Sequence, residues 1–373
     1  MSIQNFFAMT ANLLVPSVLV GRQAELAKVR HILEQDGDLL LAGVPGSGRR
    51  TLIRYAAQVS NFRLIDIDCL RATDSTRFLH LIAAEIVSTF SEAAEQALIR
   101  SWCTKQALFW VPPVATDGLQ WLPEADEWEL FQKLISLPQT LAEWLNCRVV
   151  IVFQNFPHIR SWDRGEKWQT YLRQEIQIQD RVSYTLIATV AERWVQHSNM
   201  QVVFLGPLNN EALSDWLVST LITEQLVFDA DGRSLDLFLS YVQGNFGDAM
   251  TLARRICLET RSQLSLSARQ PFVIKPEHVK QAAQALVQDL SVTFESLILL
   301  LPPSQVRVLE SLALDPTPSP QSQEYIRKHR LSRGGGLQGA LASLEQKGLV
   351  YGAEYGYRLT LPLLALWLRD RLG

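Results

Sequence analysis

The stretch Leu39–Arg54, LLLAGVPGSGRRTLIR, constrains this chain more than any other. An apolar run closes in Leu39, Leu40 and Leu41. Gly43, Gly46 and Gly48 follow, and a helical pattern opens with Thr51, Leu52 and Ile53. Strand, glycine turn and helix in that order form a phosphate-binding loop. Glycine lets the backbone close around a polyphosphate. The N–H groups that open the next helix point at the anion, and the helix dipole favours its charge. The usual spacing is G-x-x-x-x-G-K-[ST], and Gly43 and Gly48 keep it. Arg49 stands in the lysine's place and Arg50 in that of the magnesium-binding hydroxyl, with Thr51 one residue late. The candidate nucleotide-binding residues are therefore Gly43, Gly46, Ser47, Gly48, Arg49, Arg50 and Thr51. The cradle is kept, while the side chains that serve metal and chemistry are replaced.

The rest of the chain has an ordinary globular balance. It has 373 residues, 47% hydrophobic and 20% charged, with a formal net charge of -3. That leaves room for two or three domains and does not by itself point to a nucleic-acid partner. No apolar run reaches the roughly 20 residues of a membrane span, so no membrane partner is expected. The start, MSIQNFFAMTANLL, lacks the basic region and small-residue cleavage site of a secretory signal. Cys69, Cys103, Cys147 and Cys257 are too scattered to ligate a metal. They read as buried reduced thiols of a cytoplasmic protein.

Leu26, Val29 and Leu33 recur at helical spacing ahead of the loop. Beyond it, FRLIDIDCL (62–70), CRVVIVFQNFPHI (147–159), YTLIATV (184–190) and MQVVFLGPL (200–208) are strand-like runs separated by helical patterns. Continuous β-branched runs mark strands buried on both faces. The fold class is thus α/β, a parallel sheet sandwiched by helices, over residues 1–208. Within it, residues 97–146 crowd Trp102, Trp110, Trp121, Trp128 and Trp144 among prolines and acids. This reads as a helical insertion packing on the sheet or as a partner-docking surface. After Asn209 the strand signal stops, and 209–290 reads as an all-helical lid. Residues 291–373, three helices and a hairpin with Gly352 and Gly356 near its turn, give a winged-helix outline.

In this order, LVGRQAEL, GVPGSGRRT, VVIVFQNF, FLGPLNNEAL, QGNFGDAMTLA and the tail from LASLEQKGL onward resemble the P-loop ATPases of the AAA+/STAND kind. The likeness is greatest to the origin-recognition-like and archaeal-type ATPases with a C-terminal winged helix, and it covers nearly the whole chain. That resemblance implies where catalytic residues would stand. The second motif of such proteins ends its strand in Asp-Glu, which orients magnesium and polarises the attacking water. Here those positions hold Gln154 and Asn155, neutral amides that supply neither a metal carboxylate nor a base. The lid arginine that reaches the γ-phosphate would fall on Gly247. Thr189 is the one candidate sensor of plausible type. Losing these groups together, each worth on the order of a hundredfold, leaves an ATPase fold with no assigned catalytic residue. Magnesium is not expected.

ATP or ADP remains a candidate ligand, because arginine matches phosphate oxygens in pairs. The alternative is that Arg49 and Arg50 pair with Asp66 or Asp68 and the pocket is vestigial. Residues 321–373 hold eight Lys/Arg against four Asp/Glu. Of these, Arg327, Lys328, Arg330, Arg333 and Arg358 are the candidate nucleic-acid contacts. Few side chains in GLQGALASLEQKG can read bases, so DNA binding would be non-specific; docking of a protein is the other use of this surface. Two function classes follow. One is a non-hydrolysing adaptor that assembles with an active ATPase or effector. The other is a nucleotide-gated STAND-type switch. An active ATPase with relocated catalytic groups is the outlier.

Overall fold

The computed structural model describes residues 19–373 apart from 107–108, 111–118, 123, 177, 192, 264–270 and 333. Contacts divide the chain into two compact units. One joins Gly43–Gly48 and Leu205–Gly373 to the segment ending at Gln23. The other joins Ala24–Ala42 to Arg49–Phe204.

The second unit is built on a five-stranded sheet. Its strands, numbered in chain order, are β1 (Leu39–Gly43), β2 (Arg63–Asp68), β5 (Val149–Gln154), β6 (Val182–Ala188) and β7 (Gln201–Leu205). They lie in the order β2-β5-β6-β1-β7, with β2, β5, β6 and β1 paired in parallel. Every residue of β5 and β6 is buried, the polar Gln154, Ser183 and Thr185 among them, as central strands of a parallel sheet require. The helix Arg49–Val59 buries Leu52, Ile53, Ala56 and Ala57, three to four residues apart. In the helix Ser75–Thr89, which Asp74 caps at Arg77 N (2.8 Å), Phe78, Leu79, Ile82 and Ile86 do the same.

The tryptophan-rich stretch forms the helices Ala93–Lys105 and Glu127–Leu145 with a small hairpin between them, β3 (Phe109–Trp110) and β4 (Leu119–Gln120). Trp102 is buried, while Trp121 and Trp128 pack half-buried against the core. Trp128 stands edge-on to Trp168 and Tyr171, with Lys167 Nζ 4.0 Å above its ring. Trp144 is exposed. These contacts are those of packing residues. Pro112, Pro113 and Pro123 lie outside the described residues.

In the other unit, the helices Asn210–Thr223, Arg233–Val242, Phe246–Gln263 and Pro276–Asp289 form the lid stretch. Asn209 caps the first, accepting from Ala212 N at 2.8 Å. The stretch is not helical throughout: β8 (Leu226–Phe228) and β9 (Phe272–Ile274) pair in parallel. Strands of three residues are too short for an alternation to show in sequence. The helices Ser291–Leu299, Pro303–Leu314, Gln323–Lys328 and Gly335–Gln346 follow. An antiparallel wing, β10 (Val350–Tyr351) and β11 (Arg358–Leu359), then leads to the closing helix Pro362–Leu372. One hydrophobic core runs through lid and winged helix, from Leu208 to Leu368.

Candidate functional site

The loop after β1 takes its shape from glycine. Gly46 and Gly48 have φ of +82° and +89°, a region that side chains strain to enter. Gly43 is required by space: a Cβ there would lie 2.8 Å from Leu205 O. A Cβ on Gly48 would meet nothing within 4 Å, so that side of the loop is open. Arg22, buried just before the first described helix, donates from Nη2 to Ser47 O (3.3 Å) and to Gly206 O, tying the loop in place. Ser47 Oγ is buried without a hydrogen-bond partner.

The lid reaches this loop. Asn245, 5% exposed, lies so close that a Cβ on Gly46 would fall 3.0 Å from its Oδ1. A Cβ on Gly247 would be 3.6 Å from Gly46 Cα. Position 247 therefore faces the phosphate loop, and its glycine leaves the place of the lid arginine without a side chain.

The helix that follows the loop opens with Arg49 and Arg50 and has no acid in its first turn. Cations are unfavourable at the positive end of a helix dipole, and Arg50 is met there by Asp66, 3.1 Å from its Nε. Arg49 Nη1 donates to Ala188 O at the end of β6 (2.8 Å), and burial pushes its guanidinium down to about 10. Thr51 is exposed on the first turn.

The carboxyl ends of β2 and β5 carry a different arrangement. Asp66, its side chain 7% exposed, accepts from Arg50 Nε (3.1 Å) and from Arg54 Nε (2.8 Å) on Oδ2, and from Gln154 Nε2 on Oδ1. Asn155, in the left-handed region at φ +52°, donates from Nδ2 to Asp68 Oδ1 (2.9 Å), which also accepts from Leu70 N. Amides on β5 thus face acids on β2. Both Asp66 oxygens are taken by donors, and residue 50 is itself a cation, so these residues do not fit a magnesium ion. Among the described residues no group of three or more acids, histidines or cysteines is placed to hold a metal. Thr189 is half-buried just past the end of β6. Arg54 and Arg22 carry roles that motif spacing does not assign. Arg54 lies four residues after Arg50 on the same helical face, and that spacing is the signal that would have found it.

On the winged helix, Arg327, Lys328 and Arg330 are exposed, and Arg333 lies outside the described residues. Lys328 Nζ is paired with Asp315 at 2.6 Å. Arg358 lies over the Tyr351 ring at 5.4 Å, and its Nε is buried without a hydrogen-bond partner. Among the described residues of the set, Arg327 and Arg330 are the exposed guanidiniums. No helix among the described residues is long and apolar enough to cross a membrane.

A central parallel sheet, a glycine loop after its first strand, a lid and a wing define the class: the chain has the fold of a P-loop ATPase of the AAA+ kind with a C-terminal winged helix. A family model described as "probable winged helix domain" matches residues 292–370. No curated protein sequence matches the chain. Among solved structures it is similar to a Walker-type ATPase of Pyrococcus abyssi, at 15% identity and TM-score 0.65, covering 94% of this chain and 96% of that one. It is also similar to the ORC2 protein of Aeropyrum pernix in ADPNP-ADP complexes (13%, TM-score 0.55, 96% of each chain). A third is the ORC1 protein of Aeropyrum pernix in complex with DNA (17%, TM-score 0.50, 96% of each chain). At these identities the likeness is one of fold.

Proposed function

We propose that this chain is a non-hydrolysing adaptor of the AAA+ fold, one that binds ATP or ADP without magnesium and assembles with an active ATPase or effector subunit. The observation that carries the reading is Asp66. It stands beside the position of the metal carboxylate and holds Arg50, Arg54 and Gln154, while the loop backbone keeps the form of a phosphate cradle. Arg50 and Arg54 are held by Asp66, and Arg49, bonded to Ala188 O, is the guanidinium that would meet phosphate charge in magnesium's stead. The outlier of relocated catalytic carboxylates loses support from the same bonds, because Asp66 and Asp68 are committed to donors. Arg327 and Arg330 give the winged helix a surface for weak, salt-sensitive DNA contact. The similar proteins captured with DNA and with ADPNP-ADP make both ligands reasonable ones to try.

A second reading, the nucleotide-gated switch, is favoured by Asn245. This residue occupies the space a Cβ on Gly46 would enter and hydrogen-bonds to Thr360 O beside the wing. For either reading, millimolar ADP in EDTA should raise the melting temperature, since a ligand that binds only the folded chain stabilises it by mass action. An unchanged melting temperature would mark the pocket as vestigial and leave an adaptor that needs no nucleotide.

A further inference from the structure

We propose that a cavity at the amino end of the sheet binds a small organic carboxylate through Arg181. It belongs to the sheet unit and lies at the end of the strands away from Gln154 and Asn155. It stands independently of how the phosphate loop is read.

The cavity has a volume of about 490 Å³, within the ~300–1,000 Å³ of small-molecule sites. It forms where helices turn into strands. Asp36 precedes β1, Asn61 and Phe62 precede β2, Asn146 and Arg148 precede β5, and Arg181 precedes β6. Four of these residues hold left-handed backbones: Asp36 at φ +54°, Asn61 at +54°, Asn146 at +48° and Arg181 at +62°. Glycine would enter that region without strain. Each turn keeps a side chain instead, and those side chains build the wall.

Two guanidiniums line the cavity, and both are braced. Arg148 Nε lies 3.1 Å from Asp36 Oδ1, Nη2 donates to Asp36 Oδ2 (3.3 Å), and Nη1 donates to Glu34 O (2.8 Å). The same guanidinium lies 5.7 Å from the centre of the Phe62 ring. Arg148 is thus fixed and its charge compensated. Arg181 Nη1 donates to Asn146 Oδ1 (2.7 Å), and among the described residues its guanidinium makes no ion pair. Arginine has five N–H donors and no acceptor, so most of those on Arg181 remain for a ligand. With its oxygen engaged, the Asn146 amide offers N–H groups as well. A wall of donors calls for a ligand rich in acceptors.

Charge sets the class of that ligand. Arg181 is the cation of this wall that no acid meets, so one negative charge is balanced. More than one is not. Asp36 stands in the wall, and the helices Gln23–Glu34, Arg49–Val59 and Glu127–Leu145 end beside the cavity with the negative poles of their dipoles. A doubly charged phosphate meets that repulsion, whereas a carboxylate fits the guanidinium fork with a single charge.

Cys147 supplies a reporter. It lines the cavity and is half-buried, while Cys69, Cys103 and Cys257 are buried. Burial raises its thiol's pKa, against the pull of Arg63 and Arg181.

The test alkylates the full chain with iodoacetate, which carries a carboxylate, and with neutral iodoacetamide. Mass spectrometry of the peptide containing Cys147 gives both rates. Their ratio cancels the thiolate fraction, which is common to the two reagents. Relative to N-acetylcysteine in the same buffer, the ratio at Cys147 should be raised about tenfold, the effect of a charge-assisted hydrogen bond. The iodoacetate rate should also saturate with reagent concentration, which attraction to a nearby cation alone would not cause. Arg181→Gln keeps a donor for Asn146 and removes the charge. It should return the ratio to that of the free thiol, while Arg307→Gln, exposed in the other unit, should not. Acetate should protect Cys147 from iodoacetamide better than inorganic phosphate at equal ionic strength. A parent ratio equal to that of the free thiol, a rate linear in iodoacetate, or a raised ratio that survives Arg181→Gln would overturn the site. Stronger protection by phosphate would overturn its assignment to a carboxylate.

Discussion

The loop after β1 and the ends of β2 and β5 hold two kinds of function in two kinds of chemistry. The loop works through backbone: glycines at Gly46 and Gly48, a close approach at Gly43 and the N–H groups that open a helix. The strand ends would have to work through side chains, and theirs are bonded to one another in pairs. An amide at Gln154 meets Asp66, an amide at Asn155 meets Asp68, and a guanidinium at Arg50 closes the set.

The largest expected effect breaks the backbone half of that comparison. Gly43→Val places side-chain carbons against Leu205 O, where even a Cβ would be 2.8 Å away. The ADP-induced rise in melting temperature should vanish completely, as read by thermal denaturation with and without nucleotide. A retained rise would mean that the anion binds elsewhere.

The next effect tests whether the side-chain half has been rebuilt as a unit. Restoring the acidic pair with Gln154→Asp and Asn155→Glu sets carboxylates against Asp66 and Asp68 and removes two hydrogen bonds to charged groups. The double variant should lose about 4 kcal/mol of stability in urea unfolding and gain no ATP turnover. A stable variant that turns over would show that only the two amides had been holding hydrolysis back.

A smaller effect lies at the turn that bears Asn245. Burial raises the Asp248 carboxyl from 3.8 to about 6, against the hydrogen bond from Leu363 N. A raised folded pKa means that the folded chain binds the proton more tightly. Stability from this group is therefore full below about pH 3.8 and is lost as pH rises through 6, by no more than ~3 kcal/mol. Asp248→Asn should flatten the stability profile between pH 4 and 6.5 and raise stability at pH 7. An unchanged profile would place the pH response elsewhere.

Much of the sheet could be read from sequence because central strands have no solvent face. VVIVF at 149–153 is apolar throughout, and every residue of the strand, Gln154 included, is buried. The loop was legible because glycine spacing is a backbone requirement. The three-residue strands β8 and β9 were not, since neither is long enough to show a period. Motif spacing singled out Arg49, Arg50, Gln154 and Asn155, and the pairing of Arg50 with Asp66 is the one expected of the alternative in which the pocket is vestigial. Arg54 as a second partner of Asp66, the grip of Arg22 on Ser47 and the link from Asn245 to Thr360 depend on contacts between residues up to 115 positions apart. No local pattern records such distances. The basic cluster shows the same limit: composition counted Lys328 and Arg358 as free charges, whereas one is paired with Asp315 and the other lies on Tyr351.

The central claim, that the cradle binds and the strand ends cannot catalyse, is tested most directly by phosphate release from ATP. The measurement is a single-turnover one, with protein in excess over nucleotide and magnesium present, made beside the Arg49→Ala variant. Parent and variant should both release phosphate at the rate of buffer alone, while ADP in EDTA still stabilises the parent. Magnesium-dependent release by the parent that disappears in Arg49→Ala would contradict the account.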